Sequence, residues 1–200
     1  MEPLCDINAR ILAIGTGVST NMVVDGLLRL HAAKKFTRPI TFYIVGGTEG
    51  AAPLTAVDAM LVASVMRTVR SPIRTVGLGW LRNWQPLLLA SGAIGQRYLL
   101  PQTLVALGPL DWNSLPLPRT AIGLHHSPPE TAYPKTEQVL QNQFDGFLAE
   151  LKLPPELFAC NRLLTAQEAV EHRFADHVVE GFPTPQLSPS LIPVSHEPQP

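Results

Sequence analysis

The chain is short of several things, and each shortage narrows what it can do. It has two cysteines in 200 residues, Cys5 and Cys160, with no C-x-x-C spacing. That count and spacing argue against a disulfide framework or a thiolate zinc site, and read as two thiols in a reducing compartment. Charged residues make up 16% of the chain and the net charge is −1. A basic nucleic-acid footprint is therefore unsupported, and there is no acidic tail. No apolar run reaches the roughly 18–20 residues of a membrane span. The opening "MEPLCDINAR" has two acids and no apolar stretch. It resembles neither a signal peptide nor an Arg/Ser-rich transit peptide. The expectation is a soluble protein of the cytoplasm, or of an organelle after loss of a targeting peptide.

What is present is apolar. Hydrophobic residues are 46% of the chain, high for a soluble monomer, which suggests surface buried against partners. The length suits one domain with a real core. "ARILAIG", "PITFYIV" and "IRTVGL" read as buried strands, and "QRYLLP–TLVALG" as two more. Between them, "STNMVVDGLLRLHAAKK" reads as a helix with Ser19 or Thr20 as cap and Lys34 and Lys35 at its C-terminal end. "TAVDAMLVASVMRTV" reads as a second, with Val57, Leu61, Val65 and Val69 near one face. "TEQVLQNQFDGFLAEL" is amphipathic through Leu140, Phe144, Phe147, Leu148 and Leu151, and "TAQEAVEHRF" opens with a capping box, Thr165 and Glu168. "ADHVVEG" closes as a strand or turn. Strands alternating with helices predict an α/β layered fold with a largely parallel sheet. The Pro-rich stretch from 108 to 134 reads as an excursion. Residues 181–200, with six prolines after Phe182 and one acid, Glu197, read as a flexible tail to a domain over 1–180.

Few residues are arranged for chemistry. "ILAIGTGVST" starts like a phosphate-binding G-x-G turn, but Ser19-Thr20 replace the third glycine and Lys35 stands where an acid belongs. A plain strand-to-helix turn fits better. The histidines, His31, His125, His126, His172, His177 and His196, lack the i,i+4 spacing and the acidic or thiol partners of a metal site. No cofactor or metal is expected. Gly46-Gly47 directly after a strand admits two readings: a tight turn, or backbone N–H groups aimed into a cleft as in an oxyanion hole. The stretch "VGLGWLRNWQPLLLASGAIGQRYLLP", Val76 to Pro101, reads strand, turn, helix, strand. A hydrolase of this plan places its nucleophile in that turn, yet the turn holds Trp80, Leu81, Arg82 and Asn83. Asn83 is a natural N-cap, followed by Pro86 in a tolerant first turn.

In this order, "ARILAIG", "PITFYIVGG", "TVGLG–LLLASGAIGQRYLLP" and "LLTAQEAVEHRFADHVV" resemble the proteolytic subunit family of the Clp protease (ClpP). The family's nucleophile pattern resembles A-S-M-G-A-x-L-L-x-A-G-x-x-G-x-R-x-x-L-P. Its right half is present here, from Leu88 through Gly92, Gly95 and Arg97 to Pro101. The resemblance covers roughly residues 10 to 180 and implies the ClpP/crotonase-type layered fold with a protruding handle helix, here "EQVLQNQFDGFLAEL". It places the nucleophile position on Asn83, the histidine position on Gly108 in "VALGPL", and the aspartate position on Asn161 in "NRLLTA". The separation from 83 to 108 matches the family's spacing. The Gly of its E-A-x-x-x-G-L-x-D segment is Arg173, and its Gly-rich handle strand is unrecognisable in "DWNSLPLPRTAIGLHHS".

What the resemblance implies is an inactive, ClpR-type paralogue. It would sit in a heptameric ring with active ClpP paralogues, in a complex served by a Clp ATPase, without binding nucleic acid or membrane, in bacterial cytoplasm or plastid stroma. Besides a stand-alone binding protein with no Clp partner, two other readings stand beside it. One is a crotonase-fold acyl-CoA enzyme that uses Gly46-Gly47. The other is a serine peptidase with its nucleophile moved to Ser64 or Ser91, both inside predicted helices.

Overall fold

The apolar runs become the middle of a six-stranded sheet. In the computed structural model the described residues are 4–15, 18–33, 38–47, 56–108 and 133–181. Strands β1 (Leu4–Asp6), β2 (Ile11–Ile14), β3 (Ile40–Val45), β4 (Ile73–Leu78), β6 (Arg97–Leu99) and β9 (His177–Val178) lie side by side in the order β1-β2-β3-β4-β6-β9. β1 is antiparallel to β2 and every other neighbour is parallel. Parallel neighbours need crossovers. α1 (Thr20–Ala32), α2 (Ala56–Thr68) and α3 (Gln85–Ala90) lie within the β2-to-β3, β3-to-β4 and β4-to-β6 connections. A second sheet, β5 (Trp80–Leu81), β7 (Leu104–Leu107) and β8 (Arg162–Thr165), has the order β5-β7-β8. The layered α/β expectation is met, and the small sheet is an addition to it. Two of its strands, β5 and β8, carry no alternation long enough to read from sequence.

The core forms where the sheet meets its helices. Leu12, Ile14, Phe42, Ile44 and Leu99 are buried with Val23, Leu27 and Leu30 of α1. α1 packs so closely that a Cβ at Gly26 would meet Leu12 Cδ1 at 2.8 Å. Ser19 is its N-cap residue, but no side-chain cap bond forms; the Thr20 hydroxyl instead donates to Asp58 Oδ1 at 2.6 Å. Lys34 and Lys35 lie outside the described residues. α2 corrects an expectation: Val57 and Leu61 are exposed, and the buried face is Ala59, Val62, Ala63 and Met66. The helix is apolar nearly all round, so the pattern does not fix the buried face: of the four expected residues Val69 is buried and Val65 packs against the core, while Val57 and Leu61 face outward.

α4 (Tyr133–Leu151) rests on the body through aromatic rings. Phe144 meets Trp84 edge-on at 6.1 Å and Phe158 at 5.9 Å. Arg67 of α2 pairs with Glu150 and lies over the Phe147 ring. A 3-10 turn (Pro155–Phe158) leads into β8, and α5 (Ala166–Glu171) follows with the expected Thr165–Glu168 capping box.

Arg97 fixes the last strand to the sheet. Its Nε donates to Asp176 Oδ2 at 2.9 Å and its Nη2 to Oδ1 at 2.5 Å. The Arg97 backbone N–H donates to Oδ2 at 3.0 Å, and Nη1 reaches the Arg173 carbonyl at 2.8 Å. Burial alone would raise the Asp176 carboxyl, but the hydrogen bonds and charge of Arg97 outweigh it and leave the group below its usual range. At the other end of the sheet the buried Arg10 guanidinium donates to the Leu30 carbonyl and to Ser71 Oγ. It therefore ties the C-terminal turn of α1 to the approach of β4.

Candidate functional site

The small sheet brings three distant stretches to one corner. β5 and β7 run parallel, with Trp80 opposite Leu104 and Leu81 opposite Val105. β7 and β8 run antiparallel, from Leu104 opposite Thr165 to Leu107 opposite Arg162. One step further along that ladder sets Gly108 opposite Asn161. The contact agrees: a Cβ built at position 108 would lie 2.7 Å from Asn161 Oδ1. Asn83 lies two residues beyond β5, at the end of the sheet where Gly108 follows β7. All three residues expected to matter thus sit at the same end of one sheet. They present two carboxamides and a glycine: no strong nucleophile, no base and no carboxylate.

Asn83 does not cap α3. Its φ is +57°, the left-handed region, whereas an N-cap residue is normally extended. The N-cap residue is Trp84, with no side-chain cap bond. The chain turns one residue before the helix begins, and Asn is among the few side chains that accept that turn. Trp84 is buried against Phe144, which anchors the elbow from below.

The Gly46-Gly47 turn resolves for one of its two amides. The Gly46 N–H donates to the Leu78 carbonyl at 2.8 Å, so it serves the sheet and does not point into a cleft. Its lack of a side chain has a packing cause: a Cβ there would stand 2.1 Å from the Trp80 carbonyl oxygen. Gly79, with φ +73°, approaches from the other side, and a Cβ on it would meet the Gly46 carbonyl oxygen at 2.8 Å. Of the pair, Gly47 alone retains the reading of an amide donor toward the corner.

Sequence patterns do not single out Gln85, the first residue of α3. Its Nε2 donates to the Val45 carbonyl at 3.2 Å, and its Oε1 accepts from the Arg82 N–H at 3.1 Å. Nor do they single out an apolar strip leading to the corner. Trp80, Leu104 and Leu163 are all exposed, and the ladder puts them on the same sheet face as Gly108 and Asn161. Neither feature has a local signal, since both depend on strand pairing.

The remaining residues are distributed elsewhere. The hydroxyls of Ser64 and Ser91 donate to the carbonyls four residues back, Met60 at 2.8 Å and Leu87 at 2.7 Å, as small helix residues do. His31 lies in α1, His172 caps α5 and His177 lies in β9. His125, His126, His196, the Pro-rich stretch 109–132 and the tail 182–200 fall outside the described residues. A Cβ at Gly15 would meet nothing within 4 Å, and Thr16 and Gly17 of the G-x-G turn lie outside the described residues. Cys5 is half-buried and Cys160 exposed; burial pushes the Cys5 thiol up, against the opposing charge of Arg29. Among the described residues no group of three or more His, Cys, Asp or Glu is placed to hold a metal ion, and no helix is long and apolar enough to cross a membrane.

Comparison with known proteins gives this arrangement a lineage. The family model described as Clp protease matches residues 7–108. The ATP-dependent Clp protease proteolytic subunit 2 of Thermobifida fusca is 30% identical over 198 residues, spanning 92% of this chain and 90% of that protein. The subunit of the same description from Gloeobacter violaceus is 34% identical over 104 residues, spanning 50% of this chain and 46% of that one. The crystal structure of a peptidase from Plasmodium falciparum superposes with a TM-score of 0.71 at 16% identity, over 88% of this chain and 98% of that one. That structural likeness supports the layered fold. The family match over half the chain, together with 30% identity along nearly the whole of a proteolytic subunit, places the chain in the Clp protease family.

Proposed function

We propose that this chain is a non-catalytic ClpP-like ring subunit with a structural or regulatory role in an ATP-dependent Clp protease complex. One observation carries the reading. The positions matched to the family's nucleophile, base and acid lie together at the end of the small sheet, and they are Asn83, Gly108 and Asn161. A serine hydroxyl needs a base to become a useful nucleophile, and the base needs an acid to orient it and to stabilise its charged form. Two carboxamides and a glycine supply none of these. The body around the corner is intact: the Arg97–Asp176 junction, the capped α5 and the aromatic seat of α4 are all formed. A fold kept without its chemistry suits a subunit that occupies a place beside active ClpP paralogues and meets a Clp ATPase with them.

The two rival readings gain nothing from the geometry. Ser64 and Ser91 commit their hydroxyls to helix carbonyls. The acyl-CoA reading leans on two glycine amides, and Gly46 has given its own to Leu78. The test is native mass spectrometry of the complex purified from the source organism through a tag on this chain. The expected particle is ring-sized and contains an active ClpP paralogue. A chain that stays strictly monomeric beside every ClpP in its host defeats the proposal.

A further inference from the structure

The corner is flanked by two backbone segments, and one side chain joins them. Val45 ends β3 immediately before Gly46-Gly47. Arg82 immediately precedes Asn83. The Gln85 carboxamide bonds to both, through Nε2 to the Val45 carbonyl at 3.2 Å and through Oε1 to the Arg82 N–H at 3.1 Å. The Gln85 N–H also donates to the Arg82 carbonyl at 3.2 Å, so residues 82 and 85 bond reciprocally around the left-handed Asn83. A carboxamide suits this task because it offers a donor and an acceptor at once. An ester or an ionised acid could not satisfy both backbone groups.

We propose that Gln85 is a clamp that holds the elbow shut against the Gly46-Gly47 turn. Stabilising an acyl oxygen needs preorganised N–H donors that face the reacting atom. Here two amides beside the elbow are already engaged, Gly46 N–H with Leu78 and Arg82 N–H with Gln85. The bridging carboxamide ties the turn to the elbow. Restoring reactive groups at the corner leaves that clamp in place. Gln85 acts through the backbone of its neighbours and is a positioning residue. This deepens the non-catalytic reading, on which it rests, and names the residue that would have to yield before the corner could accept an acyl group.

The experiment uses the full chain in two backgrounds. In the first, Gln85→Ala is made in the native sequence; alanine is the best helix former at the start of α3, and core amides such as Phe42 report that the fold is kept. The Arg82 amide is expected to exchange with deuterium roughly tenfold faster, about the factor one lost hydrogen bond supports. In the second, Gln85→Ala is added to the combined Asn83→Ser, Gly108→His and Asn161→Asp variant, and both proteins are exposed to a fluorophosphonate. The serine oxygen forms a bond to phosphorus, the P–F bond breaks, fluoride leaves and the imidazole takes the proton. The variant lacking the clamp is expected to label several-fold faster. Unchanged Arg82 exchange, or equal labelling with and without Gln85, including none in either, overturns the clamp. Labelling of the native chain itself would instead overturn the non-catalytic reading and leave the exchange result to stand alone.

Discussion

The Arg97–Asp176 junction and the Asn83–Gly108–Asn161 corner form an instructive pair. The junction lies in segments that carry the likeness to ClpP, and the corner lies between them. At the junction the guanidinium makes two bonds to one carboxylate and two more to the Ala90 and Arg173 carbonyls. At the corner the Asn83 and Asn161 side chains are neutral and exposed, and position 108 has no side chain at all. The junction holds β6, β9 and the end of α5 together, so any change there is felt as stability. Among the described residues the corner side chains at 83 and 161 make no comparable bonds. A chain that still had to fold and pack, but no longer had to cut peptides, would keep the first and release the second. Substitutions should therefore be costly at the junction and cheap at the corner, except where the corner backbone itself is strained.

The largest effect is expected at the junction. Arg97→Ala leaves the half-buried Asp176 carboxylate without its partner, and since breaking a fully buried pair costs about 3–5 kcal/mol, the loss here should approach the lower end of that range. Thermal unfolding followed by circular dichroism should show this as a large fall in Tm. The pH dependence follows from the lowered Asp176 carboxyl. A group held below its unfolded value of about 3.9 contributes stability above that pH and loses it as pH falls through the folded value. The native chain should lose this contribution in acid, below about pH 4. An Asp176→Asn variant should lack that part of the acid dependence. If Arg97→Ala proved as mild as Asn161→Ala, the contrast between the two regions would collapse.

Next in size is the contact that joins the two sheets. Gly46→Ala would place a methyl 2.1 Å from the Trp80 carbonyl oxygen. The obstacle is backbone, which cannot rotate away as a side-chain end can. Overpacking of this kind costs about 1–3 kcal/mol, and urea unfolding should place this variant near the top of that range. A mild Gly46→Ala would mean that the ends of β3 and β5 can part, which sharpens interest in the Gln85 bridge beside them.

The contrast also marks what sequence can disclose. β2, β3 and β4 are legible because buried parallel strands read as apolar runs, and the start of α5 because Thr165 and Glu168 form a local signal. β8 is not legible: Leu164 is its one buried residue, and Arg162, Leu163 and Thr165 are exposed. The α2 pattern does not fix the buried face because apolar residues surround the helix. At the corner, the resemblance to ClpP nominates positions 83, 108 and 161. Their meeting depends on strand pairing between segments far apart in the chain, which no local pattern encodes. Asn83 shows the ambiguity most plainly. Asparagine favours both N-caps and left-handed turns, and only the course of the chain between β5 and α3 selects the second. Gln85 carries no signal, since its meaning lies in a bond to Val45 on another strand.

The smallest effects are expected at Asn83, and they separate backbone from chemistry. The left-handed turn favours Asn over Ala by about 1 kcal/mol, part of the usual 1–2 kcal/mol cost of that conformation. Asn83→Gly should be neutral or slightly stabilising, and Asn83→Ser should fall between them. On activity, Asn83→Ser should change nothing. Its hydroxyl would meet no imidazole at Gly108 and no carboxylate at Asn161. In a serine protease the nucleophile or the base alone is worth on the order of 10⁶ in turnover, about as much as the whole triad, because the members act as a unit. Position 108 can receive a side chain only as Asn161 Oδ1 moves from 2.7 Å of the new Cβ. That atom ends an exposed, rotatable side chain, so the move is cheap. Stability measurements and a peptidase assay on the same Asn83→Ser protein decide the matter together. A small loss in Tm with no hydrolysis fits a turn that kept its shape after losing its task. Brisk hydrolysis would mean that a base other than position 108 reaches residue 83, and the corner would have to be counted among the regions this protein still uses.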